Sequence, residues 1–129
     1  MGILRTLAKK GWFTLAQYNR ALKEFEFSSQ EMPDKPQPVP ETNNVKKLKG
    51  KAISIWVHIR NFPLLLILNN WIVDPDCEIF KLALILREIV ERITAENFRE
   101  YEIGILDETI IEYLDLHKKL LPENPLLNF

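Results

Sequence analysis

The sequence predicts an all-α protein with an N-terminal helical hairpin, a proline-rich linker and a three-helix bundle-like array whose central helix is buried. Three observations predict this class. Apolar residues recur at helical spacing in five separate segments. In the segment Ile79–Ile93 they cover an arc of about 160°, wider than the ~100° stripe that a surface helix needs. Four of the eight prolines lie between residues 26 and 44, where they separate the first two helices from the rest.

The composition is that of an ordinary globular chain. Of its 129 residues, 47% are apolar and 27% are charged, which is enough for one domain and argues against wholesale disorder. Residues 1–60 hold 11 of the 17 basic and 5 of the 18 acidic residues, so a basic first half precedes an acidic second half. The single cysteine, Cys77, excludes an internal disulfide, and the longest uncharged apolar run, Phe62–Leu68, is far shorter than the ~20 residues that cross a bilayer. We expect an intracellular protein, nuclear or cytoplasmic, that is neither secreted nor in a membrane.

The N-terminal region, residues 1–25, has the pattern of two short helices. Apolar residues from Ile3 to Ala8 have helical spacing, and Gly11 stands where a C′ glycine would end the first helix. Thr14 is a suitable N-cap for a second helix that runs to Phe25. A helix, a short turn with glycine and a second helix predict an αα-hairpin.

Residues 26–44 predict a linker. Proline fixes φ and removes a hydrogen-bond donor, so we expect this segment to be extended and poorly ordered. Its residues 33–36 also have the PxxP form of a ligand for an aromatic-groove domain, a short motif that many unrelated chains contain.

Residues 45–129 predict the helical bundle. A third helix follows a lysine cluster and ends at Asn69 and Asn70, and Pro63 inside it is expected to kink it near residues 60–62. Its apolar stripe comprises Leu48, Ala52, Ile55, Trp56, Ile59, Phe62 and Leu66.

The two remaining helices have their own start signals. Asp74 is the expected N-cap of the central helix, with Pro75 in its first turn. The last helix is expected to start near Asn97, with Thr94 as the alternative cap, and to end before Pro122. Inside it, Gly104 indicates a close helix contact or a bend.

Several stretches of the chain share a pattern with a known family, and they are Gly11 to Leu15, Asn19, Phe25, Lys51, Ala52, Trp56, Arg60, Pro63 to Leu65 and Leu82 to Glu91. Together they resemble a helical region of animal transposon-encoded, transposase-like proteins. The resemblance spans roughly residues 3–129 and implies a fragment of such a protein. The family's acidic, histidine-containing flank and its histidine-rich stretch are both absent from this sequence, so the resemblance implies no catalytic residue and no cofactor here.

Each residue type that could carry chemistry also has a structural interpretation. His117 lies on the apolar face of the last helix and is interpreted as a packed, hydrogen-bonded core histidine, and His58 as a residue at the edge of the third helix's stripe. Cys77 is interpreted as an incidental thiol without a neighbouring base. The carboxylates of the last helix are interpreted as a solvated face rather than a metal site; they are Asp107, Glu108, Glu112 and Asp115. Three i,i+4 ion pairs are expected, namely Arg87–Glu91, Glu88–Arg92 and Asp115–Lys119.

Two hypotheses about function follow. The first is a non-catalytic helical fragment that supports packing or self-association, or that joins missing segments of a larger protein. Its expected exposed apolar patch comprises Trp12, Phe62, Trp71, Leu126, Leu127 and Phe129. The second is a small DNA-binding module that uses the basic half, with no small-molecule substrate or metal in either case. Its expected contacts are Lys9, Lys10, Gln17, Arg20, Lys23, Lys46, Lys47, Lys49 and Lys51.

Overall fold

A computed structural model describes residues 2–41, 52–95, 99–123 and 129, and these residues form helices and loops without a strand. The predicted all-α class is confirmed. A one-turn 3₁₀ helix, Met32–Asp34, lies between the second and third α-helices. The five α-helices are α1 (Ile3–Lys9), α2 (Leu15–Glu24), α3 (Ala52–Leu68), α4 (Glu78–Ile93) and α5 (Glu100–Leu120).

Helix α4 is the centre of the bundle, as predicted. It packs against α3 on one side, α5 on another and α1 on a third. The main helical neighbour of α1 is therefore α4 and not α2, although α1 and α2 follow one another in the sequence. Phe80 of α4 is also buried, with its ring centroid 5.8 Å from that of Trp12. The buried arc of α4 is therefore wider than predicted, because α1 and the turn after it cover a further side of α4.

The helix ends predicted from local residue types are confirmed. The Oγ1 atom of Thr14 accepts a hydrogen bond from the Gln17 N–H, and Gln17 Oε1 accepts one from the Thr14 N–H, which makes a complete capping box. Gly11 has a φ of +87°, and Asn70, which follows α3, has a φ of +54°. In both places the two backbone hydrogen bonds of a Schellman motif are present, so glycine and asparagine occupy equivalent left-handed positions. A tryptophan, Trp12 or Trp71, follows each of them.

Other helix starts were predicted wrongly. Asp74 does not cap α4; its side chain accepts the Asp76 N–H in a turn that precedes the helix, and the N-cap position belongs to Cys77. Thr94 follows the last residue of α4 and is its C-cap, not the N-cap of α5. Its hydroxyl donates to the carbonyl of Val90 in the last turn of α4. Helix α5 begins at Glu100, with Asn97 outside the described residues.

Two further expectations concern positions inside helices. Among the described residues, and apart from the adjoining backbone of α5 itself, nothing lies within 4 Å of a Cβ built on Gly104, so this glycine does not mark a close contact with another described helix. Helix α3 continues through Pro63 to Leu68, which is six residues beyond the expected kink at residues 60–62. The predicted lysine-rich approach to α3 and its first stripe residue, Leu48, lie outside the described residues.

The proline-rich segment is packed on the helices, so the expectation of poor order is wrong for residues 26–41. The side-chain amide of Asn19 donates to the carbonyl of Val39 at 2.8 Å, and its oxygen accepts the Val39 N–H at 2.7 Å. Arg5 donates to the carbonyl of Pro40 at 2.6 Å. Val39 itself is only 1% exposed and belongs to the common hydrophobic core. The segment is held because side chains of α1 and α2 bind its backbone groups, a contact that proline content does not reveal.

Candidate interaction surface

Of the exposed apolar patch expected from the sequence, the four members that the structure describes are buried or partly buried. Phe62, Trp12 and Phe129 are 0%, 7% and 4% exposed, so the expectation that they are exposed is wrong. Trp71 is partly buried, because its ring packs against those of Phe13 and Tyr18. Two other predicted members of the patch, Leu126 and Leu127, lie outside the described residues.

A buried histidine–tyrosine pair, His58 and Tyr18, lies at the centre of an aromatic cluster whose other members are Phe13, Phe62, Trp71 and Phe129. The hydroxyl of Tyr18 and Nε2 of His58 are 2.5 Å apart, and the two rings stack with centroids 5.7 Å apart. Burial lowers the pKa of His58 from 6.5 to about 3 and raises the pKa of Tyr18 well above 10. His58 is therefore neutral and Tyr18 protonated near neutral pH, which allows the hydroxyl to donate to Nε2. The interpretation of His58 as an edge residue is wrong, since it is only 2% exposed.

Phe129 closes this cluster from the other end of the chain. Its ring meets those of Phe62 and His58 edge-on, with centroid distances of 4.9 and 5.2 Å. Its carbonyl oxygen accepts the Leu4 N–H at 2.9 Å, one of the first backbone donors of α1. The pair of His58 and Tyr18 is thus sealed from solvent, and this geometry is that of a packed core rather than of a catalytic site.

The remaining candidates for chemistry do not converge on one another. His117 is buried as predicted, and burial lowers its pKa, but Nε2 has no hydrogen-bond partner among the described residues. Within the same described ranges, no group of three histidine, cysteine or acidic side chains is placed to hold a metal ion. The four carboxylates of α5 that were interpreted as a solvated face are exposed, and Lys119 pairs at 3.2 Å with Glu78 of α4 and not with Asp115. Cys77 is a half-buried free thiol.

The residues predicted to contact DNA are exposed where the structure describes them. Two of them, Lys9 and Lys10, lie at the end of α1, and three, Gln17, Arg20 and Lys23, lie on the outer side of α2. The Gln17 side-chain oxygen is already used in the capping box. The other four predicted contacts, Lys46, Lys47, Lys49 and Lys51, lie outside the described residues.

Large apolar side chains form an exposed stripe along α3. Ile53, Trp56, Leu64 and Ile67 are 44%, 37%, 42% and 55% exposed, and we call these four residues the α3 outer face. At 100° per residue they lie within an arc of about 80°. Leu68, beside them, is 69% exposed. A surface helix normally presents charged residues on this side, so the α3 outer face is unusual.

Arg60 lies in the middle of the α3 outer face and is held by ion pairs. Its Nε is 3.2 Å from Glu91 and its Nη1 is 3.5 Å from Glu31, while Nη2 donates to Thr94 at 2.9 Å. The carbonyl of Arg60 accepts from Nε of Arg87 at 2.8 Å. Two arginines and two glutamates therefore balance their charges at the centre of the stripe.

The predicted pairs on α4 are both present. Arg87 and Glu91 are 3.8 Å apart, and Arg92 and Glu88 are 3.1 Å apart. In each pair the two residues are four positions apart, which makes them neighbours on the surface of the helix.

The sequence contained a signal for the α3 outer face. Arg60 is the only residue with a formal charge at neutral pH in the 17 residues of α3, because His58 is neutral. A helix that is apolar on every side is normally buried on every side. The described part of the chain, however, leaves one side of α3 uncovered.

Comparison with protein-family models, with characterised proteins and with solved structures gave no match. The resemblance to transposon-encoded proteins therefore stays a prediction. In the part of the chain that the structure describes, no helix combines the length and the apolar character that crossing a membrane requires.

Proposed function

We propose that the protein is a helical association module and that another polypeptide covers the α3 outer face. The observation that carries this proposal is the exposure of Ile53, Trp56, Leu64 and Ile67 on a helix with a single charged residue. Exposed apolar stripes of this kind mark interaction sites, since water would otherwise remain in contact with them. A role for this module within a transposase-like protein is part of the same proposal and rests on the resemblance alone.

The spacing of the α3 outer face indicates the type of partner. Ile53 and Trp56 are three residues apart, and Leu64 and Ile67 repeat that step. Steps of three and four residues are those of a helix that packs against another helix. We therefore infer a helical partner segment, rather than an extended strand.

Site-specific photo-crosslinking tests the proposal. A benzophenone side chain replaces Leu64, and the matched control carries it at Leu84, which is 40% exposed on α4. The two purified variants are irradiated alone and in an extract of the cells that express the protein. A protein adduct formed from position 64 but not from position 84 supports the proposal. Equal adducts from both positions, or none from position 64, would overturn it.

The alternative function, binding of duplex DNA, is supported only by exposed basic side chains. Arg20 and Lys23 are exposed on α2, and Lys9 and Lys10 are exposed after α1. Neutralised phosphates make such binding fall steeply with salt, so the charge reversal Arg20→Glu should weaken it and reduce its salt dependence. An electrophoretic shift that is absent even at low salt would remove this alternative.

A further inference from the structure

We propose that the polypeptide covering the α3 outer face is a second copy of this chain, with the two α3 helices paired in antiparallel orientation about a two-fold axis at Arg60. This inference rests on the proposed function and names its partner.

The spacing along α3 is symmetric about Arg60. From Ile53 the steps to Trp56, Arg60, Leu64 and Ile67 are three, four, four and three residues, so the order is the same in both directions. Residue 60 is also the midpoint of α3, which runs from residue 52 to residue 68. A two-fold axis makes an interface in which residue i contacts residue j and j contacts i.

An antiparallel pair centred at Arg60 therefore matches apolar side chains throughout. Ile53 of one copy meets Ile67 of the other, and Trp56 meets Leu64, each pair occurring twice. Heptad-like steps of three and four residues favour a shallow crossing angle of about 20°, which keeps the two stripes in contact along the helix. A parallel pair would place equal residues side by side and would gain nothing from the symmetric order.

The centre of the interface is compatible with two copies because its charges are already balanced. Each Arg60 contacts Glu91 and Glu31 of its own chain, and Arg87 contacts Glu91. Two arginines that meet at the axis therefore bring four carboxylates with them, along with both Arg87 side chains. The like charges at the axis are neutralised within each copy before the copies meet.

The size of the stripe fits the apolar centre of a standard interface between two proteins. From the exposed fractions of the α3 outer face and Leu68, these side chains present roughly 500 Å² of surface, near the upper end of the largest apolar patch on a typical monomer. A standard interface buries about 800 Å² on each partner. The stripe supplies the apolar centre of such an interface and leaves room for a polar rim.

Sedimentation velocity of the full chain over a concentration series tests the association. We expect a species of twice the monomer mass of 15.2 kDa. The double variant Leu64→Glu/Ile67→Glu should be monomeric at every concentration, with an unchanged circular dichroism spectrum, because both side chains are exposed. Leu84→Glu on α4 is the matched control and should keep the dimer. A monomeric wild type, or a dimer that survives in the double variant, would overturn the inference.

Disulfide trapping tests the orientation in a Cys77→Ser background. Ile53→Cys and Ile67→Cys chains should cross-link with each other when mixed. Ile53→Cys alone should not, since its two copies would be about 21 Å apart in the antiparallel pair, too far for a disulfide. Self-cross-linking of Ile53→Cys would contradict the antiparallel arrangement.

The outcomes separate this inference from the proposed function. A monomer whose position 64 forms a photo-adduct only with a different protein would overturn the second copy as partner and keep the association module. A monomer that forms no protein adduct but binds vesicles of neutral phospholipid, with loss of binding in the double variant, would overturn both and assign the stripe to a lipid surface.

Discussion

The buried pair of His58 and Tyr18 makes the stability of the fold depend on pH in a predictable direction. In the unfolded chain His58 titrates near 6.5, whereas in the folded protein burial lowers its pKa to about 3. Between these values the unfolded chain binds a proton that the folded protein does not. The free energy of unfolding therefore falls as the pH falls through this range, with a limiting slope of about 1.4 kcal/mol per pH unit. From pH 7.5 to pH 5.0 the loss due to this one side chain is about 2 kcal/mol.

The variant His58→Gln isolates this contribution. Glutamine does not titrate, and its amide can still face the hydroxyl of Tyr18, although the ring contact with Phe129 is lost. Urea unfolding followed by tryptophan fluorescence gives the free energy of unfolding of both proteins at several pH values. Between pH 7.5 and pH 5.0 the wild type should lose about 2 kcal/mol more than the variant. The shift of His117 and the titration of the carboxylates are common to both proteins, so they cancel in the comparison.

The result that would refute this reasoning is simple. If the wild type and His58→Gln lose the same free energy of unfolding between pH 7.5 and pH 5.0, His58 keeps an ordinary pKa in the folded protein. The sealed cluster around it, including the contact with Tyr18, would then be open to solvent. Greater destabilisation of the variant at neutral pH would not rescue the argument, because packing alone accounts for it.

Three further predictions concern single side chains whose contacts the structure defines. Gly104→Ala should stabilise the protein by about 0.5–1 kcal/mol, whereas Gly11→Ala should destabilise it by about 1 kcal/mol. The two effects differ in sign because Gly11 has a positive φ and Gly104 does not. Thermal unfolding of the two variants checks this, and equal effects would contradict it. Arg60→Ala should cost about 1–2 kcal/mol in urea unfolding and Arg92→Ala less than about 0.5 kcal/mol, because the first joins α3 to α4 and the second makes one surface pair within a helix. Asn19→Ala should cost about 2 kcal/mol and expose the proline-rich segment to limited proteolysis, and a segment that stays resistant would show that the amide clamp does not hold it.

The parts of the fold that could be predicted from the sequence are those that depend on a few neighbouring residues. Thr14 and Gln17 are three positions apart, so a capping box needs no information about distant segments. The same holds for Gly11, whose lack of a Cβ makes the left-handed conformation accessible, and for Asn70. Asp74 shows the limit of such signals, because an aspartate before a proline caps a turn as readily as a helix.

The parts that could not be predicted depend on contacts across the chain. Asn19 binds a backbone 20 residues away, and Arg60 is held by residues from two other segments. Neither contact changes the composition or the period of the local sequence. Burial of Phe129 is of the same kind, since its partners Phe62 and His58 are in α3.

The different areas that aromatic and aliphatic side chains bury explain why the exposed patch was predicted in the wrong place. Aromatic side chains bury more area than aliphatic ones and gain from ring contacts, so they have the stronger tendency to occupy the core. Phe62 accordingly packs with Tyr18 and Phe129, and the side of α3 that carries it becomes the inner side. Leu64 and Ile67, two and five residues further on, then point away from the core by the geometry of the helix. The α3 outer face thus lies on the side of α3 away from Phe62, and substitutions there should change association without changing the folded monomer.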